Sequence, residues 1–317
     1  MTAIQGFVSP SRRPGELGIH SLDRFHFTVP DLGSAMRFYS EFGLDIQARG
    51  NVLSMGTYDV PHVWGTIGEG LRKKFGYLSF GAFEDDIERF ATRLQDMKVK
   101  RLDPPPGIES NGIWFNDQDG NLIEIKVAAK SSPDEKTRFS SQLTAAGQRG
   151  APFRSKLPRT YPRRLSHVLL FTSNVPKAME FYTRVIGMRV SDYSGDNVAF
   201  LHGIHGSDHH MIAFARSTAP GHHHFSWDVG SIDEIGAGAM HMLEKGYDKG
   251  WGLGRHVLGS NYFHYIRDPW GSYSEYSAAI DYVPANCDWD GSDQAAEDAF
   301  YAWGPNVPED FVYNYEA

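Results

Sequence analysis

Three segments in the second half of the chain each place a side chain able to hold a metal within an apolar, strand-like run: Leu165-Ser166-His167-Val168-Leu169-Leu170, His223-His224-Phe225-Ser226-Trp227 and Asp268-Pro269-Trp270-Gly271-Ser272-Tyr273-Ser274-Glu275-Tyr276. Together they offer two imidazoles and one carboxylate. Gathered on one face of a metal, that set leaves the opposite face open to water, substrate and O₂, the arrangement of non-haem Fe(II) oxygenases. Histidine is distributed to match: eleven of fourteen lie after residue 160, seven of them between His202 and His224. The chemistry is expected in the second half. Taken singly, each histidine has a plainer reading. One ahead of a strand is more often structural than a ligand, and the run His222 to His224 could serve as a loop or an adventitious metal tract. His202, His205 and His209 are more readily read as lining a loop than as touching a substrate.

A chain of 317 residues has room for two domains, and 41% apolar with 22% charged residues marks it as globular. No stretch is apolar for long enough to span a bilayer. Met1 to Ile19 carries Arg12 and Arg13 without a following apolar segment, which does not fit a secretory signal. A soluble, cytoplasmic protein is expected. The one cysteine, Cys287, allows neither an intrachain disulfide nor a thiolate cluster, so a metal must sit on histidine and carboxylate. A net charge of −8 argues against general nucleic-acid or anionic-membrane binding and favours a small-molecule substrate.

The elements that must position these residues repeat. At an offset of 143, Leu22, Asp31, Ala35, Met36, Phe38 and Tyr39 fall on Leu165, Asn174, Ala178, Met179, Phe181 and Tyr182. Each set reads as a strand followed by a short amphipathic helix that closes near Gly43 or Gly187. At an offset of 151, the turn and strand Asp117 to Glu124 fall on Asp268 to Glu275. A further strand and helix lie between, Tyr77 to Met97 and His224 to Gly246, giving four small units. The first half keeps Glu124 but carries Arg24 for His167 and Tyr77 for His224, so it reads as a scaffold with Glu124 a relic. The division expected is an N-terminal extension (1–20), a non-catalytic domain (21–130), a connection (131–164) with a weak helical pattern from Phe139 to Ala146, a catalytic domain (165–280) and a tail (281–317). The tail is rich in aromatic residues, Trp289, Phe300, Tyr301, Trp303, Phe311, Tyr313 and Tyr315, and is expected to dock on the chain or to make an oligomer contact.

At these residues the chain resembles the type I extradiol ring-cleaving dioxygenases, two-domain members of the vicinal oxygen chelate superfamily, over roughly Leu22 to Ala278. The motif around the third ligand is present as Gly254-Arg255-His256, His264-Tyr265, Asp268-Pro269-Trp270-Gly271 and Glu275, with His264 the one departure, at an apolar place. The resemblance implies an α+β fold: four βαβββ modules paired into two domains, each a curled mixed sheet around a cavity. It implies His167, His224 and Glu275 as metal ligands, with His224 favoured over His222 and His223 because it directly precedes Phe225-Ser226-Trp227. It implies His210 as the catalytic acid and base, ahead of His209 because it precedes the apolar run, and His256 and Tyr265 as hydrogen-bond donors to substrate. Fe(II), or Mn(II) in its place, is the implied cofactor, O₂ the co-substrate and a homotetramer the assembly.

Relatives that take acid-bearing catechols resemble one another in an arginine five residues ahead of the histidine matching His256. Here that residue is Trp251. An aromatic diol with an uncharged alkyl, aryl or hydroxyl substituent is expected, with Phe200 and Trp251 as pocket walls. A hydroquinone or trihydroxybenzene substrate is the alternative within the family. A glyoxalase-like isomerase or a bleomycin-resistance-like binding protein would share the fold, but the combination of His210, His256 and Tyr265 speaks against the isomerase and the intact ligand set against the binder.

Overall fold

The computed structural model describes residues 11–141 and 144–317. The first half runs β1 (Ser21–Val29), α1 (Leu32–Glu41), β2 (Asp45–Arg49), β3 (Val52–Gly56), β4 (Val63–Glu69), β5 (Lys74–Ala82), α2 (Ile87–Asp96), β6 (Arg101–Leu102), β7 (Ile113–Asn116) and β8 (Leu122–Val127). The second runs β9 (Arg164–Thr172), α3 (Val175–Phe181), β10 (Arg189–Ser194), β11 (Val198–His202), β12 (Ser207–Asp208), β13 (Ile212–Arg216), β14 (Gly221–Asp228), α4 (Ile232–Glu244), β15 (Gly250–Arg255), β16 (Tyr262–Arg267), β17 (Tyr273–Ala278) and β18 (Tyr282–Val283). Each half is one eight-stranded mixed sheet, ordered β2-β3-β4-β1-β5-β8-β7-β6 and β10-β11-β13-β9-β14-β17-β16-β15. Two strand–helix–strand modules meet in each sheet where β1 pairs antiparallel with β5, and β9 with β14. This is the α+β, four-module architecture that the resemblance implies.

Local chemistry explains the helix boundaries. Asp31 caps α1 by accepting from Gly33 N, Asn174 caps α3 by accepting from Lys177 N, and Ser231 caps α4 by accepting from Glu234 N. Glu234 also accepts from Gly230 N, one residue ahead of the cap. Gly187, with φ of +79°, ends the π-helical turn Tyr182–Ile186 that follows α3. The helical pattern from Phe139 to Ala146 falls partly on 142–143, outside the described residues. The described residues around it are irregular, and Phe139 stacks on Tyr262 at 5.7 Å.

Alternation along the central strands decides what faces what. Phe25 and Phe27 of β1 meet Phe225 of β14, with centroids 3.7 Å and 5.6 Å apart. Phe42 stacks on Tyr276 at 3.9 Å. Burying each such ring contributes roughly 1.5–3 kcal/mol, so the two halves share one core. The duplicated polar residues cross between halves: Tyr39 Oη donates to Asp268 Oδ2 (3.5 Å), and its counterpart Tyr182 Oη donates to Asp117 Oδ2 (3.0 Å). The opposite face of the second sheet is left for the site.

Candidate metal centre and its cavity

Three adjacent strands, β9, β14 and β17, carry the site. Ser226 of β14 lies in register with His167 on one side and Glu275 on the other, and His224 precedes it by two residues. All four therefore project from one face. The serine is the small member that leaves room at the centre. Nε2 of His167 stands 3.2 Å from Nε2 of His224, and Oε2 of Glu275 lies 3.3 Å and 3.7 Å from them. The three residues are buried, and their candidate ligand atoms fall within 4.8 Å of one another.

Glu275 Oε1 accepts from Asn261 Nδ2 at 3.3 Å, but its buried Oε2 has no hydrogen-bond partner among the described residues. A bare carboxylate oxygen in a dry site costs several kcal/mol unless a cation meets it. Burial pushes the Glu275 carboxyl up, but the imidazoles of His167, His256 and His224 outweigh it and hold the group well below its ordinary range. Burial, followed by the field of His223, holds His224 well below its ordinary value and so neutral. An anionic oxygen and two imidazole nitrogens turned to one point fit a divalent metal of borderline softness.

The other predicted residues ring this point. His210, immediately ahead of β13, places its ring 4.1 Å from that of His167. Burial first, and His167 second, hold its pKa well below the ordinary value. His210 Nδ1 meets His209 Nδ1 at 3.0 Å, and His209 Nε2 meets Asp192 Oδ2 at 2.9 Å. Tyr265 Oη donates to His256 Nε2 at 2.9 Å, while His256 Nδ1 donates to the carbonyl of Phe300. Burial, then the charge of Glu275, raises the Tyr265 hydroxyl well above its ordinary value, so it stays a donor.

Above these groups opens a cavity of about 300 Å³, with His167, His210, His224, His256 and Tyr265 at its polar end. Leu169, Phe200, Trp251 and Leu258 form apolar walls, and Ala299, Phe300, Phe311 and Val312 of the tail close another side. The tail therefore docks on its own chain. Trp303 bridges to Arg255, and Trp251 Nε1 donates to Pro305 O at 2.9 Å.

His167, His224, Glu275, His210, His256 and Tyr265 thus come together, and Phe200 and Trp251 both line the cavity. His202 and His205 lie elsewhere, the first against Ser191 Oγ (2.7 Å) and the second against Gly18 O (3.1 Å). His264 is on the neighbouring position of β16 and lines a separate groove with Gly252 and Pro305. His222 stacks on Phe225 at 3.8 Å, a packing role. The sequence marks Ser226 and Asp228 only as weak candidates for partners of the ligating histidines; the structure places Ser226 between His167 and Glu275, whereas Asp228 pairs with Arg163 at 2.7 Å. Asn261 and the tail phenylalanines carry no such signal in the sequence.

A sequence profile described as the glyoxalase/bleomycin resistance protein/dioxygenase superfamily matches residues 21–125 and 164–276. The chain is 46% identical over 315 residues to metapyrocatechase 2 of Cupriavidus necator, covering 99% of this chain and 98% of that protein. In three dimensions it is similar to an Mn(II)-bound glyoxalase from Novosphingobium aromaticivorans, with a TM-score of 0.73, 23% identity, and coverage of 92% and 93%. It is also similar to a variant of homoprotocatechuate 2,3-dioxygenase from B. fuscum, with a TM-score of 0.73, 17% identity, and coverage of 94% and 83%. At these identities the two structures speak for the fold.

Proposed function

The chain belongs to the glyoxalase/bleomycin resistance protein/dioxygenase superfamily and is an extradiol ring-cleaving dioxygenase, and we propose that it uses Fe(II) to open catechols whose substituent carries no charge. The observation that carries this reading is Oε2 of Glu275, without a hydrogen-bond partner among the described residues, between two imidazole nitrogens at the foot of an apolar cavity. Held by His167, His224 and Glu275, the metal would supply adjacent positions for the diol and O₂ and a path for electrons between them.

The chain's own residues do the rest. Neutral His210 takes a proton from a substrate hydroxyl and returns it to oxygen later in the cycle, a role that its closeness to His167 favours and that its neutral ring allows. Tyr265 and His256 form one hydrogen-bonded pair beside Glu275 and orient the substrate oxygens. Leu169, Phe200, Trp251 and Phe311 surround the ring and keep water away. The cation on the cavity wall, Arg216, is more than half exposed and already pairs with Asp196 at 2.6 Å. A substituent carboxylate therefore meets no buried positive partner among the described residues of the cavity wall, and desolvating it would be costly.

The test is O₂ uptake and formation of the yellow ring-opened product by anaerobically Fe(II)-loaded protein. The panel holds catechol, alkyl- and arylcatechols, a trihydroxybenzene and a carboxylated catechol. Cleavage that favours the uncharged members supports the proposal, and preference for the carboxylated one overturns its substrate half. Equal turnover with Mn(II) in place of Fe(II) would remove iron as the specific cofactor. The same reading takes the working form to be a homo-oligomer, which light scattering checks.

A further inference from the structure

A neutral imidazole has one N–H and one lone pair, so a contact between two ring nitrogens holds a single proton. His223 Nε2 lies 2.7 Å from the carbonyl oxygen of Phe311, in the C-terminal tail. A carbonyl only accepts, which puts the His223 proton on Nε2 and leaves its Nδ1 as an acceptor. That Nδ1 is 2.7 Å from Nδ1 of His224. The His224 proton is therefore on Nδ1, and its Nε2 presents a lone pair toward His167 Nε2 and Glu275 Oε2.

We propose that His223 is a positioning residue: it connects a carbonyl of the tail to the metal-binding His224, fixes that ring's tautomer and orientation, and so raises the affinity for a divalent cation. The role rests on the metal centre proposed above. The setting is built for it. His223 is buried in a box of aromatic rings, with Phe311, Phe171 and Tyr273 at 4.8 Å, 5.2 Å and 5.3 Å, so it has little freedom to turn. Its neighbour His222 is equally buried, but both of its ring nitrogens are without partners among the described residues, as a packing role would leave them. The tail repeats the arrangement once, where the Phe300 carbonyl takes the Nδ1 proton of His256 and leaves Nε2 free to accept from Tyr265. Partners of this kind are typically worth 10- to 100-fold in metal affinity.

The experiment is anaerobic calorimetric titration of Mn(II) into metal-free protein. It compares the native chain, His223→Gln and His223→Phe. Glutamine can donate to the Phe311 carbonyl and accept from His224, while phenylalanine keeps the bulk and does neither. Expected is a loss of about 10- to 100-fold in H223F and H223Q within about threefold of native. Native affinity in H223F overturns the proposal. So does a folded H223Q that falls as far as H223F, because the role is then packing. A native chain that binds no Mn(II) removes the metal centre itself, and this role with it.

Discussion

On the ladder that joins β1, β5 and β8, Ser79 lies opposite Arg24 and Glu124, and on the ladder joining β9, β14 and β17, Ser226 lies opposite His167 and Glu275. The correspondence extends outward: Tyr77 stands where His224 does, and Trp114, opposite Glu124, stands where Tyr265 faces Glu275. Both halves bury a glutamate at the same place. In the first, Ser79 and Ser110 donate to its two oxygens, and a β-carbon on Gly112 would lie only 2.6 Å from Oε1. In the second, one oxygen is left without a donor among the described residues. The backbone supplies the position in both, and the surrounding side chains decide whether the carboxylate is a satisfied core group or a candidate ligand. Arg24, always charged, adds a fixed cation where the other half offers a lone pair.

Breaking the second-half site should have the largest effect. His167→Ala or Glu275→Gln is expected to abolish metal binding and lower turnover by on the order of 10⁵-fold, the scale of holding two reactants in one complex; metal analysis and O₂ uptake read both. His210→Phe should keep the metal but lower kcat by about 10²- to 10⁴-fold, and an unchanged kcat would take His210 out of the proton-transfer role. Tyr265→Phe should cost at most about 10²- to 10³-fold, with metal content intact.

Smaller effects concern stability. Burial pushes His20, His202, His205 and His264 down to about 4, 3, 4 and 4 from an ordinary 6.5, assisted at the first three by nearby cations. Between these values and 6.5 the unfolded chain binds protons that the folded chain does not. The neutral rings' share of stability is therefore present above pH 6.5 and is lost as pH falls toward 4. The Tm of metal-free protein should decline through that window, and hydrogen exchange should rise first in the second half, which holds three of the four. A flat Tm between pH 6.5 and 4 would contradict the burial argument. Least of all for function, Glu124→Gln should leave activity within about twofold while costing about 1–3 kcal/mol of stability, measurable by denaturant titration.

The candidate ligands were legible because each sits in a run of strand-forming residues, and the duplication at offsets of 143 and 151 is the same one the two strand ladders display. Side-chain periodicity carries that information. What could not be read was wiring through the main chain. Phe300 and Phe311 act through carbonyls, which every residue possesses, so nothing in their identity pointed to His256 or His223. The aromatic composition of the tail predicted docking, and the structure shows where it docks. The choice among His222, His223 and His224 also depended on a feature invisible in composition, the irregularity in β14 between His222 and His224 that resets which residues face the cavity.

The central claim, that two equivalent folds differ in holding a metal, is tested most directly by counting it. Anaerobically reconstituted native protein and its Glu124→Gln variant should each contain one tightly bound Fe(II) per chain, and Glu275→Gln none. Two metals per native chain, or a loss of iron on substituting Glu124, would contradict the account.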